Sequence, residues 1–237
     1  ASITWDVYLS VDGGFTWQNA PNLPFSPGVP PRVDVNSVAI DLRNPEVVWV
    51  CTTKGICLST SSGNKWRWRN EGLPENFDAG FVSFDLSDPS RVYLCSYQGG
   101  IYRSENFGGE WEQVSDLSHL RDLAVDPQDP QTLYAATSGG VRKSVDGGAN
   151  WESKNAGLLE LRVDKLAVCQ SEPNVLYCAS GSNFAAVYVS EDGAESWQRR
   201  DEGVPRELFM PRLIVSPVSA DLAYVGTPFG VYKTVDR

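Results

Sequence analysis

Apolar and polar residues alternate along most of this chain, and they do so in short runs. The run VNSVAID (Val35–Asp41) alternates and reads as a half-buried strand. NPE (Asn44–Glu46) follows as a turn, and VVWVCTT (Val47–Thr53) reads as a second, more deeply buried strand. KG (Lys54–Gly55) is a tight turn into ICLSTS (Ile56–Ser61), and NKWRWRN (Asn64–Asn70) carries a fourth strand. The same order of four strands restarts at Phe81, at Leu120 and at Val163. Short strands at this spacing, with Gly and Pro scattered between them, predict an all-β fold.

Between the third and fourth strand of each unit lies one octapeptide. It reads SVDGGFTW from Ser10, STSSGNKW from Ser59, SENFGGEW from Ser104, SVDGGANW from Ser144 and SEDGAESW from Ser190. A sixth copy opens at Thr234 as TVDR. The template is Ser-x-Asp-x-Gly-x-Thr-Trp at intervals of 40 to 49 residues, the length of a propeller blade. Four strands per repeat predict a β-propeller rather than a sandwich, as a single domain over residues 1–237.

The motif resembles the Asp-box, also called the bacterial neuraminidase repeat. Similar repeats occur in sialidases, twin-propeller xyloglucanases, sortilin-type receptors and photosystem II assembly factors. The resemblance runs through the whole chain and implies a propeller of four-stranded blades. It implies no single function, because those families do unrelated things.

Physical chemistry gives the octapeptide a structural role. Gly14, Gly63, Gly108 and Gly148 suit a turn that needs positive φ, and Ala194 stands in that place in the fifth copy. Asp12, Asp146 and Asp192 can accept hydrogen bonds from nearby amides, with Ser61 and Asn106 as substitutes. Ser10, Ser59, Ser104, Ser144 and Ser190 open the turns. Trp17, Trp66, Trp111, Trp151 and Trp197 each bring a large apolar ring to pack under them. The chain enters late in one unit and leaves after the third strand of another. The two ends are therefore expected to share a closing blade, giving five blades. A piece of a larger propeller is the alternative.

The net charge of −10 argues against nucleic acid or an anionic membrane surface as the main partner. No run approaches the roughly 20 apolar residues of a transmembrane helix, so no membrane insertion is expected. No compartment and no oligomeric state is indicated. The five Cys residues show no zinc spacing. Cys51 and Cys95 fall at a position shared with Ala136, Ala179 and Gly226, where a thiol serves as a small apolar group. Reduced thiols are expected, with no metal and no cofactor.

A propeller commonly binds at the mouth of its channel, on loops away from the repeated turn. Aligning the first strands on their apolar pairs puts Asn36, Gly80, Arg121, Asp164 and Pro211 two steps upstream. Asp34, Asp78, His119, Arg162 and Phe209 lie four steps upstream. Equal parity places both sets on one side of the strand. Arg32 and Arg212 lie close by in sequence. Trp5, Tyr97, Phe184 and Phe229 belong to the other loop set and offer aromatic platforms.

Three functions are compatible with this rim. The favoured one is a non-catalytic scaffold for a protein or peptide, with Arg32, Arg121, Arg162 and Arg212 holding an anionic or carbonyl-rich partner. The second is a glycan binder or glycoside hydrolase, in which Asp34 and Asp78 would be the acid and base pair. Arg32, Arg121 and Arg162 imitate a sialidase arginine trio, but the Arg-Ile-Pro stretch of those enzymes is absent. The third is an assembly module within a larger chain. No Ser occupies a nucleophile-elbow pattern, and the Gly pairs are hairpin turns rather than phosphate loops.

Overall fold

The computed structural model describes residues 7–25, 33–181, 186–205 and 212–237. These residues form 21 strands and no helix. The described residues up to Phe84, together with Asp88–Gln113, make one compact unit; Asp85–Ser87 and the described residues from Val114 onward make a second.

Four antiparallel sheets have four strands each, in sequence order. The first is β3 (Val35–Ile40), β4 (Val48–Thr52), β5 (Gly55–Ser59) and β6 (Arg67–Trp68); the next is β7 (Phe81–Phe84), β8 (Val92–Cys95), β9 (Ile101–Ser104) and β10 (Glu112–Ser115). Then come β11 (Leu120–Val125), β12 (Leu133–Thr137), β13 (Gly140–Ser144) and β14 (Glu152–Ser153), and β15 (Lys165–Val168), β16 (Leu176–Ser180), β17 (Ala186–Ser190) and β18 (Gln198–Arg199). This is the blade of a β-propeller repeated four times. At the ends, β1 (Tyr8–Leu9) pairs with β2 (Gln18–Asn19), and β19 (Arg212–Ser216), β20 (Ser219–Thr227) and β21 (Gly230–Thr234) form a three-stranded sheet.

β1 pairs with β2, and the C-terminal strands make a sheet of their own, in which β21 pairs with β20 from Ala223↔Thr234 to Thr227↔Gly230.

Burial follows strand position within the blade. The second strands β4, β12 and β16 are buried at every residue. Their central aromatics Trp49, Tyr134 and Tyr177 are at most 2% exposed and face the neighbouring blade. The outermost strands β6, β14 and β18 have two residues each and are largely polar, which blunts the sheet edge. Between first and second strands, Asp41, Asp85 and Asp126 accept from the amides of Arg43, Ser87 and Gln128 at 2.8–2.9 Å. These Asx-type contacts turn the chain without a glycine. All five thiols are buried and unbridged.

The repeated octapeptide forms one hydrogen-bonded turn in every copy. In the fourth, the Ser144 hydroxyl donates to Asp146 at 2.8 Å and accepts from the Gly148 amide at 2.9 Å, while Asp146 accepts from the Asn150 amide at 2.9 Å. Asn106 does the work of Asp in the third, accepting from Ser104 at 2.8 Å and from the Glu110 amide at 2.9 Å. Gly63, Gly108 and Gly148 all have positive φ, and Ala194 adopts φ 73° in the same place, with a methyl group that this conformation resists. The tryptophans do more than pack under their own turns. Trp111 joins a cluster with Trp49 of the preceding blade, and Trp197 one with Tyr134 of its own preceding blade.

Candidate functional site

The strands that carry the rim residues are bulged. In β3, Val35 opposes Thr52 and Ser37 opposes Cys51, leaving Asn36 out of the ladder. In β11, Leu120 opposes Thr137 and Asp122 opposes Ala136, leaving Arg121 out. Gly80 repeats the pattern by donating its amide to the Cys95 carbonyl that Phe81 already opposes. Asp164 does the same at Ala179, opposite Lys165. A bulge adds one residue and re-aims its side chain. The equal-parity alignment therefore fails across it: Asp34, four steps before the apolar pair, takes the face of Ser37 rather than that of Val38. The column next to the bulge holds Ser37, Phe81, Asp122 and Lys165, and Arg212, opposite Gly226, takes the corresponding place in β19.

In the first unit the bulge residue organises a polar edge. The Asn36 side-chain amide donates to Asp78 Oδ1 and to the Ala79 carbonyl, both at 2.7 Å. The Gln98 amide donates to Asp78 Oδ2 at 3.2 Å, so both oxygens of Asp78 are engaged by neutral donors. Ser37 donates to the Gly80 carbonyl at 2.8 Å, tying β3 to β7. Tyr97 lies beside this edge, 47% exposed, with its ring 5.8 Å from that of Phe81. Asp34 is half-buried, and its amide donates to the Thr53 hydroxyl at 3.1 Å.

The second unit carries charged residues of its own on the corresponding strands. Asp164 is buried; it accepts from Arg162 Nε at 3.0 Å and from the Gly181 amide at 2.9 Å. The Arg162 charge is thus matched by its own neighbour. Asp122 accepts from the Leu166 amide at 3.2 Å and pairs with Lys165 Nζ at 3.3 Å. Burial pushes the Asp122 carboxyl above the usual range, with the Lys165 ammonium opposing the rise. Arg121 is half-buried and has no hydrogen-bond or ion-pair partner among the described residues. His119 is exposed with φ 59°, its Nδ1 2.9 Å from the Ser118 hydroxyl. Arg212 and Phe229 are exposed on the C-terminal sheet.

Trp5, Arg32, Phe184 and Phe209 lie outside the described residues. The alignment missed Gln98, Ser37 and the Asp122–Lys165 pair. One signal was present: Asp122 and Lys165 fall in the same column of adjacent repeats with opposite charge. Among the described residues no three His, Cys, Asp or Glu side chains converge to hold a metal.

No protein-family model matches the sequence. An oligoxyloglucan-reducing end-specific xyloglucanase of Emericella nidulans is 30% identical over 166 residues, 58% of this chain and 20% of that protein. An ancestral GH74 enzyme superposes over 96% of this chain and 33% of its own, at 22% identity and a TM-score of 0.75. YCF48 bound to D1 peptide superposes over 95% and 85%, at 17% identity and a TM-score of 0.52. The chain therefore spans a fifth of the curated relative and a third of the GH74 structure. Together with the repeated four-stranded sheets, these likenesses place the fold among the β-propellers.

Proposed function

We propose that the chain is an Asp-box propeller module acting as a non-catalytic binding scaffold, and that the rim of its first unit recognises a neutral glycan. The observation that carries this reading is the edge built by Asn36, Asp78, Gln98 and Tyr97. An exposed ring offers a face to a sugar, and beside it a carboxylate and two amides supply acceptors and donors for hydroxyls. The sequence likeness to a xyloglucanase supports a glycan of that class. Asp78 suits binding better than proton transfer, because both its oxygens already accept hydrogen bonds from neutral amides.

The test is calorimetric titration with xyloglucan oligosaccharides alongside an assay for new reducing ends. Binding is expected without hydrolysis. Tyr97→Ala should weaken it about tenfold, the effect of losing roughly 1.4 kcal/mol of ring contact. Absence of binding sinks the glycan reading. Hydrolysis lost in Asp34→Asn or Asp78→Asn replaces it with an enzyme.

A peptide ligand is the second reading. It rests on Arg121, a half-buried guanidinium with no partner among the described residues, of the kind that anchors protein interfaces. Arg121→Ala abolishing capture of a protein partner, with glycan binding absent, would select it.

A further inference from the structure

In each four-stranded blade the bulge of the first strand lies beside the turn that leaves the second strand. Two residues meet there, and their sizes are matched. The β3–β6 blade has Asn36 in the bulge and Thr53 in the turn, β11–β14 has Arg121 and Ser138, and β15–β18 has Asp164 and Gly181. The contacts set the correspondence. Thr53 and Ser138 donate their amides to the Asp34 and His119 carbonyls, two residues before the bulge, at 3.0 and 3.3 Å, and the Gly181 amide donates to Asp164 itself at 2.9 Å. These three blades join a side chain in the bulge to a small turn residue. The β7–β10 blade reverses the arrangement, with Gly80 in the bulge and Tyr97 in the turn.

Space, not backbone conformation, requires the glycine. Gly80 lies outside the left-handed region, so its φ is open to other residues. A Cβ placed on it would lie 3.2 and 3.3 Å from Cδ2 and Cε2 of the Tyr97 ring and 2.9 Å from the Cys95 carbonyl oxygen. The ring therefore fills the volume that a side chain at 80 would take. Phe81 supports it with ring centroids 5.8 Å apart, and Tyr97 remains 47% exposed. The turn is long enough to bring it there: five residues separate the paired Cys95 and Ile101, against four between Cys51 and Ile56 and between Ala136 and Val141.

We propose that Gly80 is the specificity-determining residue of the first unit's rim. By carrying no side chain it seats the Tyr97 ring against the strand and turns this blade's bulge position from a polar or charged contact into an apolar platform. The blade then suits a neutral, ring-shaped ligand, whereas Arg121 fits the same position of the β11–β14 blade for an anionic one. What the platform binds rests on the glycan reading; how the ring is seated does not.

The test reads the ring, the fold and the ligand separately. In chain labelled with 3-fluorotyrosine, the Tyr97 fluorine signal is assigned by its loss in Tyr97→Phe. Gly80→Ala should shift that signal and leave those of the other tyrosines in place. Gly80→Asn, which copies the bulge residue of the β3–β6 blade, should lower the urea midpoint, and adding Tyr97→Thr should recover most of the loss, because the pair Asn36 and Thr53 is then reproduced. In titrations with xyloglucan oligosaccharides, Gly80→Ala should weaken binding about tenfold, as loss of the ring contact would, and should cost nothing further in a Tyr97→Ala background. A fluorine signal unmoved by Gly80→Ala overturns the proposal. So does a Gly80→Asn loss that Tyr97→Thr leaves uncorrected, or a binding loss of equal size with and without Tyr97. If the unmodified chain binds none of these sugars, the glycan reading fails, while the fluorine signal and the urea midpoints still decide whether Gly80 seats the ring.

Discussion

The Trp111 indole N–H donates to the Arg69 carbonyl oxygen at 2.8 Å, so the turn of one blade is bonded to the backbone that follows the last strand of the blade before it. The ring also meets Trp49 edge-on, with centroids 6.3 Å apart and planes at 74°, and is 3% exposed. The repeated turn is thus an inter-blade fastener as well as a hairpin. Trp111→Ala should cost about 3–5 kcal/mol of unfolding free energy by leaving a cavity. Trp111→Phe should cost less, since most of the ring stays and one hydrogen bond, worth about 1 kcal/mol, is lost with the rest of the indole. Urea unfolding measures both. A loss below about 1 kcal/mol in the alanine variant would show that the junction does not depend on the ring.

Acid should loosen the same turns. The Asn150 side chain, the Asn150 amide and the Ser144 hydroxyl hold Asp146 at about 2, below its ordinary 3.8; Thr16 and Ser10 hold Asp12 at about 2 in the same way. The folded value is depressed, so the stabilisation is complete above pH 3.8 and is lost as pH falls toward 2. Asp146→Asn removes the titration but keeps an acceptor, as Asn106 does in the third copy. Between pH 5 and pH 2 the melting temperature of the parent should fall more steeply than that of the variant. Parallel curves would place the acid sensitivity elsewhere.

Ala194 is the one residue of its column that lacks glycine's freedom, with φ 73° in a fully buried setting. A left-handed alanine costs about 1–2 kcal/mol, and glycine returns part of that through the larger entropy of its unfolded chain. Ala194→Gly should raise stability by about 0.5 kcal/mol, read as a higher urea midpoint at unchanged slope. A lower midpoint would mean that methyl packing against Trp197 and its cluster outweighs the strain.

The blades were legible because each repeat states its strands and its turn twice over, in alternation and in the Ser-x-Asp-x-Gly motif. The rim was less so. Asn36 and Arg121 sit in bulges, and one inserted residue reverses which face every earlier side chain takes. No local composition marks β3 or β11 as bulged, since the irregularity arises where the inner strand meets the carbonyls of its neighbours. The partners of the rim charges were hidden for a different reason. Gln98 reaches Asp78 across 20 residues, a contact set by hairpin geometry rather than by pattern.

Asp164 shows how a rim residue can be structural. Both of its oxygens face donors, the Arg162 guanidinium at 3.0 Å and the Gly181 amide at 2.9 Å, and the residue is 4% exposed. Asparagine has the same shape but only one acceptor oxygen, so in Asp164→Asn one of those donors must face an NH₂ group. The expected cost is about 1.5–3 kcal/mol, the range for a hydrogen bond to a charged group. Arg162→Ala should also destabilise, because it leaves the buried carboxylate with the Gly181 amide and no counter-charge. In both variants the Gly181 amide should exchange its hydrogen faster, which a purely ligand-contacting role would not change in the free protein. If Asp164→Asn instead leaves stability and exchange unchanged while weakening ligand binding, Asp164 belongs to the recognition surface rather than to the frame beneath it.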